Sequence, residues 1–236
     1  MSAQRIYLWD LPTRLFHWLL LAAFAAAFIT GQVGGNLIVW HGRLGVLILG
    51  LVVFRLIWGV IGSTYARFSQ FVAGPGAIAR YLRGQWQGIG HNPLGALSVL
   101  ALLGLVGVQV GTGLFANDDI AFTGHLYALV DAGLSNRLTG VHKLLSNLLI
   151  ALVVVHVLAV AYYRRVKRHD LLTPMVTGWK HDAPAHSRSA QGGGPVAFLA
   201  AAAIAGGVAW AVGSGWASQT FAPPPPPPAA VETPSW

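Results

Sequence analysis

Cysteine is missing from all 236 residues of the chain. Its absence excludes disulfides, thiolate-held iron–sulfur clusters and haem attached through a CxxCH motif, so any cofactor is held by other side chains. Charge is the second scarcity. Only 9% of the residues are Asp, Glu, Lys or Arg while 55% are hydrophobic, against about a quarter charged in an ordinary soluble domain. Most of the chain must therefore face lipid or other buried helices, and one multi-span domain accounts for the length. The net charge of +8 could suggest nucleic acid, but the basic residues gather in short loops beside apolar runs. There they read as topology signals, and no nucleic-acid partner is expected. Met1 to Asp10 also lacks a charged segment followed by an apolar core and a small-residue cleavage site, so the first span is expected to be retained.

What is present is a series of apolar runs. The first opens at Pro12, a residue favoured in the first helical turn, and continues as LFHWLLLAAFAAAFIT to about Thr30. A glycine-rich turn, GQVGGN, leads to a second run from Leu37 to Ile61, with His41 at its start and Arg43 and Arg55 inside it. The connection from Gly62 to Asn92 carries Arg67, Arg80 and Arg83, and its segment FVAGPGAIARYLRG suits a short interfacial helix. A third, uncharged run spans Pro93 to Phe115, and a loop with Asp118, Asp119 and Asp131 follows. The fourth run, Thr139 to Arg165, ends in the most basic loop, with Arg164, Arg165, Lys167, Arg168, Lys180 and Arg188. A fifth, rich in alanine and glycine, runs from Pro195 to Trp216 and precedes a proline tract, Pro223 to Pro228, expected to be extended polyproline. Basic loops stay cytoplasmic. The N-terminus and the two basic loops are therefore expected inside, and the Gly31–Asn36 turn, the aspartate loop and the proline tail outside.

The fourth run organises the rest. Fourteen residues separate His142 from His156, roughly 21 Å of helix rise and about 40° short of a whole number of turns. Both imidazoles thus share one face, one near each surface of a hydrocarbon core about 30 Å thick. An ionisable side chain at that depth is costly and marks a functional site. Topology pairs these two with others. His17, early in an outward helix, falls level with His156, and His41, starting an inward helix, falls level with His142. Haem iron with two axial imidazoles asks for histidines on opposing helices at matched depth. A lone histidine near a span end reads first as a snorkelling or hydrogen-bonded tip; it is the depth-matched pairing that points to axial ligands. Arg55 stands fourteen residues after His41, on nearly the same face at the inner level. Its guanidinium would meet a haem propionate there, or simply follow the positive-inside pattern. Arg14 and Arg43 are further candidates for that task. His91, His125, His169, His181 and His186 read as solvated loop residues, with His125 the one placed for a role on the outer side.

Five stretches carry a family resemblance: WDLPTRLFHW at Trp9–Trp18, WHGRLG at Trp40–Gly45, FRLIWGVIGSTYARF at Phe54–Phe68, GHNPLGALSVLALLGLVGVQVGTGLF at Gly90–Phe115 and VHKLLSNLLIALVVVHV at Val141–Val157. Together they resemble the bacterial cytochrome b561 family, which includes the b-type cytochrome subunit of nickel–iron hydrogenases, over about Arg5 to Lys180. The resemblance implies an all-α fold, an integral membrane four-helix haem-binding bundle with two non-covalent b haems. The family's ligands on the first, second and fourth spans carry over to His17, His41, His142 and His156. The fifth C-terminal transmembrane helix and the proline tail depart from the four-span pattern. The expected division is a di-haem domain over 1–180, a cytoplasmic linker over 181–194, the additional helix over 195–216 and a Pro-rich periplasmic tail over 217–236.

The function so implied is electron transfer across a bacterial inner membrane, linking the quinone pool to a redox partner such as a c-type cytochrome, a hydrogenase or a dehydrogenase. Two axial histidines saturate the iron, which favours outer-sphere transfer over oxygen chemistry. Quinone is a further candidate ligand, although no motif marks its site. One alternative is a stand-alone superoxide:quinone oxidoreductase, against which the acidic outer loop argues. Another is a histidine-lined transporter of metal ions or protons.

Overall fold

A computed structural model describes residues 4–72, 74–86, 88–184 and 186–223. The expected polyproline tail beyond Pro223 lies outside the described residues. Among these, five helices are long and apolar enough to cross a membrane: α1 (Leu11–Val33), α2 (Ile38–Ile61), α5 (Pro93–Leu114), α6 (Ala132–Arg165) and α8 (Pro195–Gly213). Shorter elements connect them: α3 (Phe68–Phe71), α4 (Pro75–Leu82), α7 (Leu172–Thr177) and α9 (Trp216–Phe221). The protein is a mostly helical, multi-pass membrane protein, and the five spans fall within a few residues of their expected bounds, except at one end of α6.

Local chemistry sets where these helices start. The Asp10 carboxylate accepts from the Thr13 N–H and Pro12 occupies the first turn of α1, so the helix begins with one orphan donor satisfied and one removed. Asn92 caps α5 in the same way through the Gly95 N–H. α6 starts at Ala132 rather than Thr139 because Asp131 accepts from the Leu134 N–H. Its 34 residues rise about 51 Å, so its ends project beyond a hydrocarbon core. α4 fills the place of the expected interfacial helix.

Packing runs in sequence around the bundle: α1 on α2, α2 on α5, α5 on α6. Ala23, Ala27, Ile48, Val52, Val106 and Leu149 join these helices in the main core. α6 leans chiefly on α5, while Leu144, Val154, Val155 and Leu158 on it are exposed, as lipid-facing side chains are. α8 covers the opposite side of α2. Ala201 and Ala205 are buried there, and a Cβ on Gly50 would lie 3.3 Å from that of Ala209. Without a hydrophobic drive inside lipid, such small residues let backbones approach closely enough to pack.

One end of the bundle carries two strands where the sequence pattern predicts only polar connecting segments. β1 (Gln4–Tyr7) pairs antiparallel with β2 (Trp179–Ala183), burying Ile6, Leu8, Trp9 and Ala183. Residues after β2 return across the same end. Thr64 N–H donates to Gln191 O at 2.8 Å and Ala190 N–H to Tyr7 O at 2.7 Å. This sheet end contains the start of α1, the finish of α2 and the approach to α5. The far end contains the α1–α2 turn, the finish of α5 and the loop before α6.

Candidate functional site

At the far end His41 lies in the first turn of α2 and His142 in the third turn of α6. Their ring centroids are 6.0 Å apart and their planes 88° from parallel. Each ring is held by a neighbouring helix. His41 Nδ1 is 2.8 Å from Ala27 O on α1, and His142 Nδ1 is 2.9 Å from Gln109 O on α5. A carbonyl oxygen can only accept, so Nδ1 carries the proton in both rings and Nε2 keeps its lone pair. That is the arrangement in which a histidine ligates a metal while a second partner fixes its tautomer. Thr112 Oγ1 stands 3.3 Å from His142 Nδ1, and the Gln109 side-chain amide stands 3.2 Å from His142 Nε2.

Glycine makes room for both rings. A Cβ on Gly31 would fall 2.8 Å from His41 Nδ1, and one on Gly113 would fall 2.7 Å from His142 Cε1. Between the helices lies a cavity of about 480 Å³ whose walls include Phe24, Phe28, Gly45, Val110, His125 and Asn147. That volume is within the range of cofactor sites, about 300–1,000 Å³. His125, expected on the outer side, therefore lines this space, and burial pushes its pKa down.

At the sheet end His17 lies in the second turn of α1 and His156 in the last third of α6. Both side chains are half-buried. His17 Nδ1 is buried with no hydrogen-bond partner among the described residues, and His156 Nδ1 has only Ser98 Oγ, at 3.5 Å. Arg55 shares this end. It is 3% exposed, its Cζ lies 4.8 Å over the Phe68 ring, and its Nη1 is buried without a partner among the described residues. Arg14 is instead tied to Val176 O at 2.7 Å, and Arg43 stacks on Trp40 at 4.9 Å.

Two readings of the sequence are revised here. His91 is not a solvated loop residue. Its ring sits 4.7 Å from Trp9 and 4.6 Å from Phe71, and its Nδ1 is cut off from water without a partner among the described residues. Burial first, then the charges of Arg55 and His156, push its pKa down to about 4, so the ring is neutral. Gln109 and Thr112, in a span that reads only as uncharged, lie against His142. The signal was available: two polar residues three apart lie on one face of an otherwise apolar helix, and that face meets His142. His169, His181 and His186 are exposed, as expected.

A bare ion asks for three or more protein ligands, and among the described residues no such cluster forms. A porphyrin brings four nitrogens and asks the protein for two. With metal–imidazole bonds of about 2 Å on each side, the two ring centres stand about 6 Å apart, the spacing found at the far end. The family model described as prokaryotic cytochrome b561 matches residues 8–178. The chain belongs to the prokaryotic cytochrome b561 family. No curated protein and no solved structure matches it. Cytochrome b561 proteins bind haem b in the membrane and serve electron transfer. The present residues fit that group: two paired imidazoles whose Nδ1 protons face backbone carbonyls, beside a cavity, at the far end, and orphaned polar atoms on His17, Arg55 and His91 at the sheet end.

Proposed function

We propose that this cytochrome b561 carries electrons across the membrane through two b haems. His41 and His142 hold one at the far end, and His17 and His156 hold the other at the sheet end. The observation that carries the reading is the pair of imidazoles 6.0 Å apart, each with its Nδ1 proton committed to a backbone carbonyl. When bound, haem b would supply one-electron redox chemistry, each haem being held by the two imidazoles of its pair.

The chain's own residues set the conditions for that chemistry. Ala27 O and Gln109 O fix the two far-end tautomers, orient the rings and raise their basicity. Phe24, Phe28 and Val110 give the cavity apolar walls. α6 sets the separation of the two levels, since the fourteen residues from His142 to His156 rise about 21 Å. Arg55 places a buried positive charge at the sheet end, where it would meet a propionate.

Orientation follows from charge. Arg164, Arg165, Lys167 and Arg168 lie at the sheet end, which this reading puts in the cytoplasm, and Asp118 and Asp119 lie at the far end, which it puts in the periplasm. Electrons pass between the quinone pool and a redox protein docking at the outer face, such as a c-type cytochrome, a hydrogenase or a dehydrogenase. The test is haem content and the reduced spectrum of purified protein. Two haems b per chain and a sharp α-band are expected, whereas colourless protein from haem-replete cells would sink the reading. Steady reduction by quinol with turnover against superoxide, and no partner protein, would replace the subunit by a stand-alone oxidoreductase.

A further inference from the structure

Two buried polar groups at the sheet end have nothing to bind. Arg55 Nη1 and His91 Nδ1 are both shut off from water and without partners among the described residues. They stand on one aromatic wall: Arg55 lies over Phe68 at 4.8 Å, His91 lies against Phe71 at 4.6 Å, and the two phenyl rings touch at 5.7 Å. Gly59 brings that wall up to α2, since a Cβ there would run into the Phe68 ring. The guanidinium and the imidazole are near enough for the charge of Arg55 to act on His91.

Asp10, a carboxylate at the same end, is already engaged. Asp10 Oδ1 accepts from the Thr13 N–H at 2.7 Å and Oδ2 from the Trp58 indole N–H at 3.0 Å. Trp58 is fully buried, so turning Asp10 toward Arg55 would strand an indole donor in exchange. A buried guanidinium lacking a close counter-charge is strongly unfavourable. Trp9 is buried among Ile6, Leu8 and Ala183 of the strand pair and its flank, and Arg55 Nη1 itself is cut off from water. What the pair lacks is an anionic acceptor delivered by something flat and apolar enough to enter between the helices.

We propose that Arg55 and His91 together form the receptor for a carboxylate of the group held between His17 and His156. This rests on the two-haem reading above and names the residues that would orient the sheet-end haem by one propionate. Arg55 donates through its fork. His91, neutral in its aromatic slot, donates from Nδ1 as a second, directional hydrogen bond.

The experiment uses the full chain in detergent, prepared free of haem and reconstituted with haem b or with its dimethyl ester, which has the same ring and no carboxylate. The readout is the rate at which each is lost to a haem scavenger. The sheet-end phase is the one that His156→Ala lacks. The native chain is expected to lose the ester from that phase about tenfold or more faster than haem b, the difference of one charge-assisted bond. In Arg55→Met and in His91→Phe the preference should shrink several-fold, with the far-end haem retained as a sign of intact folding. If either empties both ends, Arg55→Lys and His91→Gln decide, since they keep bulk and polarity but alter the fork or the ring. Undiminished preference for haem b in these variants overturns the receptor. Slow loss of both forms in every variant, together with a preference conferred by added anionic lipid, would mark the site as one for a lipid headgroup and likewise overturns it. If His156→Ala still holds two haems, the ligand assignment itself has failed, an outcome separable from failure of the receptor alone.

Discussion

The two ends of the bundle hold their imidazoles by opposite means. At the far end each ring is fixed by a carbonyl of the neighbouring helix, Ala27 O for His41 and Gln109 O for His142, and glycine backs each ring. At the sheet end the His17 Nδ1 has no partner among the described residues and His156 has one long contact to Ser98, while charge and aromatic packing crowd close by in Arg55, Asp10, His91, Trp9 and Phe71. At the far end the two rings are oriented by the backbone of the neighbouring helices. The sheet end is built around groups that an incoming cofactor would satisfy. The contrast teaches that a site can be specified either by tautomer or by unmet polar demand, and that the two need not respond alike to the same kind of substitution.

The largest effect that would break the comparison is steric. Gly113→Val places its side chain into the His142 ring, 2.7 Å from Cε1 already at the Cβ, and should lower haem content from two per chain toward one, with the sheet-end haem kept. Equal loss at both ends would show that the ends are not independent. Next comes Asp10→Ala, which removes the cap of α1 and the acceptor of a fully buried indole. It should cost about 2–3 kcal/mol, read as a lower melting temperature, with sheet-end haem released before far-end haem. A smaller change sharpens the far end. Thr112 Oγ1 lies 3.3 Å from His142 Nδ1 and adds electron density to a proton already shared with Gln109 O. Thr112→Val should raise the far-end midpoint potential by about 20–60 mV, at 59 mV per tenfold, leaving the other unmoved. The least invasive check changes no residue. Imidazole planes 88° apart engage different iron d orbitals and leave them nearly degenerate, so the far-end ferric iron should give a strongly anisotropic low-spin resonance.

Much of the bundle was readable from residues alone, for identifiable reasons. Runs such as LIVWHGRLGVLILGLVVFRLIWGVI are too long and too apolar to be anything but spans, and Pro12 and Pro93 mark starts that the helices respect. Depth-matching of histidines follows from rise per residue, and His41 and His142 do meet. The early start of α6 was also written in Asp131, an N-cap residue ahead of AGLSNRL, but a polar loop obscured it. The strands QRIY and WKHDA were not legible. Four- and five-residue segments without alternation carry no period, and their pairing joins residues about 175 positions apart. His91 failed for the same reason: the segment GIGHNP gives no hint that Trp9 and Phe71, distant in the chain, close around the ring. Local pattern determines helices here, while the sheet end is determined by long-range closure.

The most direct measurement is haem content and redox titration of four single variants, His17→Ala, His156→Ala, His41→Ala and His142→Ala. The account predicts that each keeps one haem, that the first two variants leave a haem of the same potential, and that the last two leave the other. If His17→Ala and His142→Ala remove the same haem, or if any of the four keeps both, the pairing across the two ends is wrong.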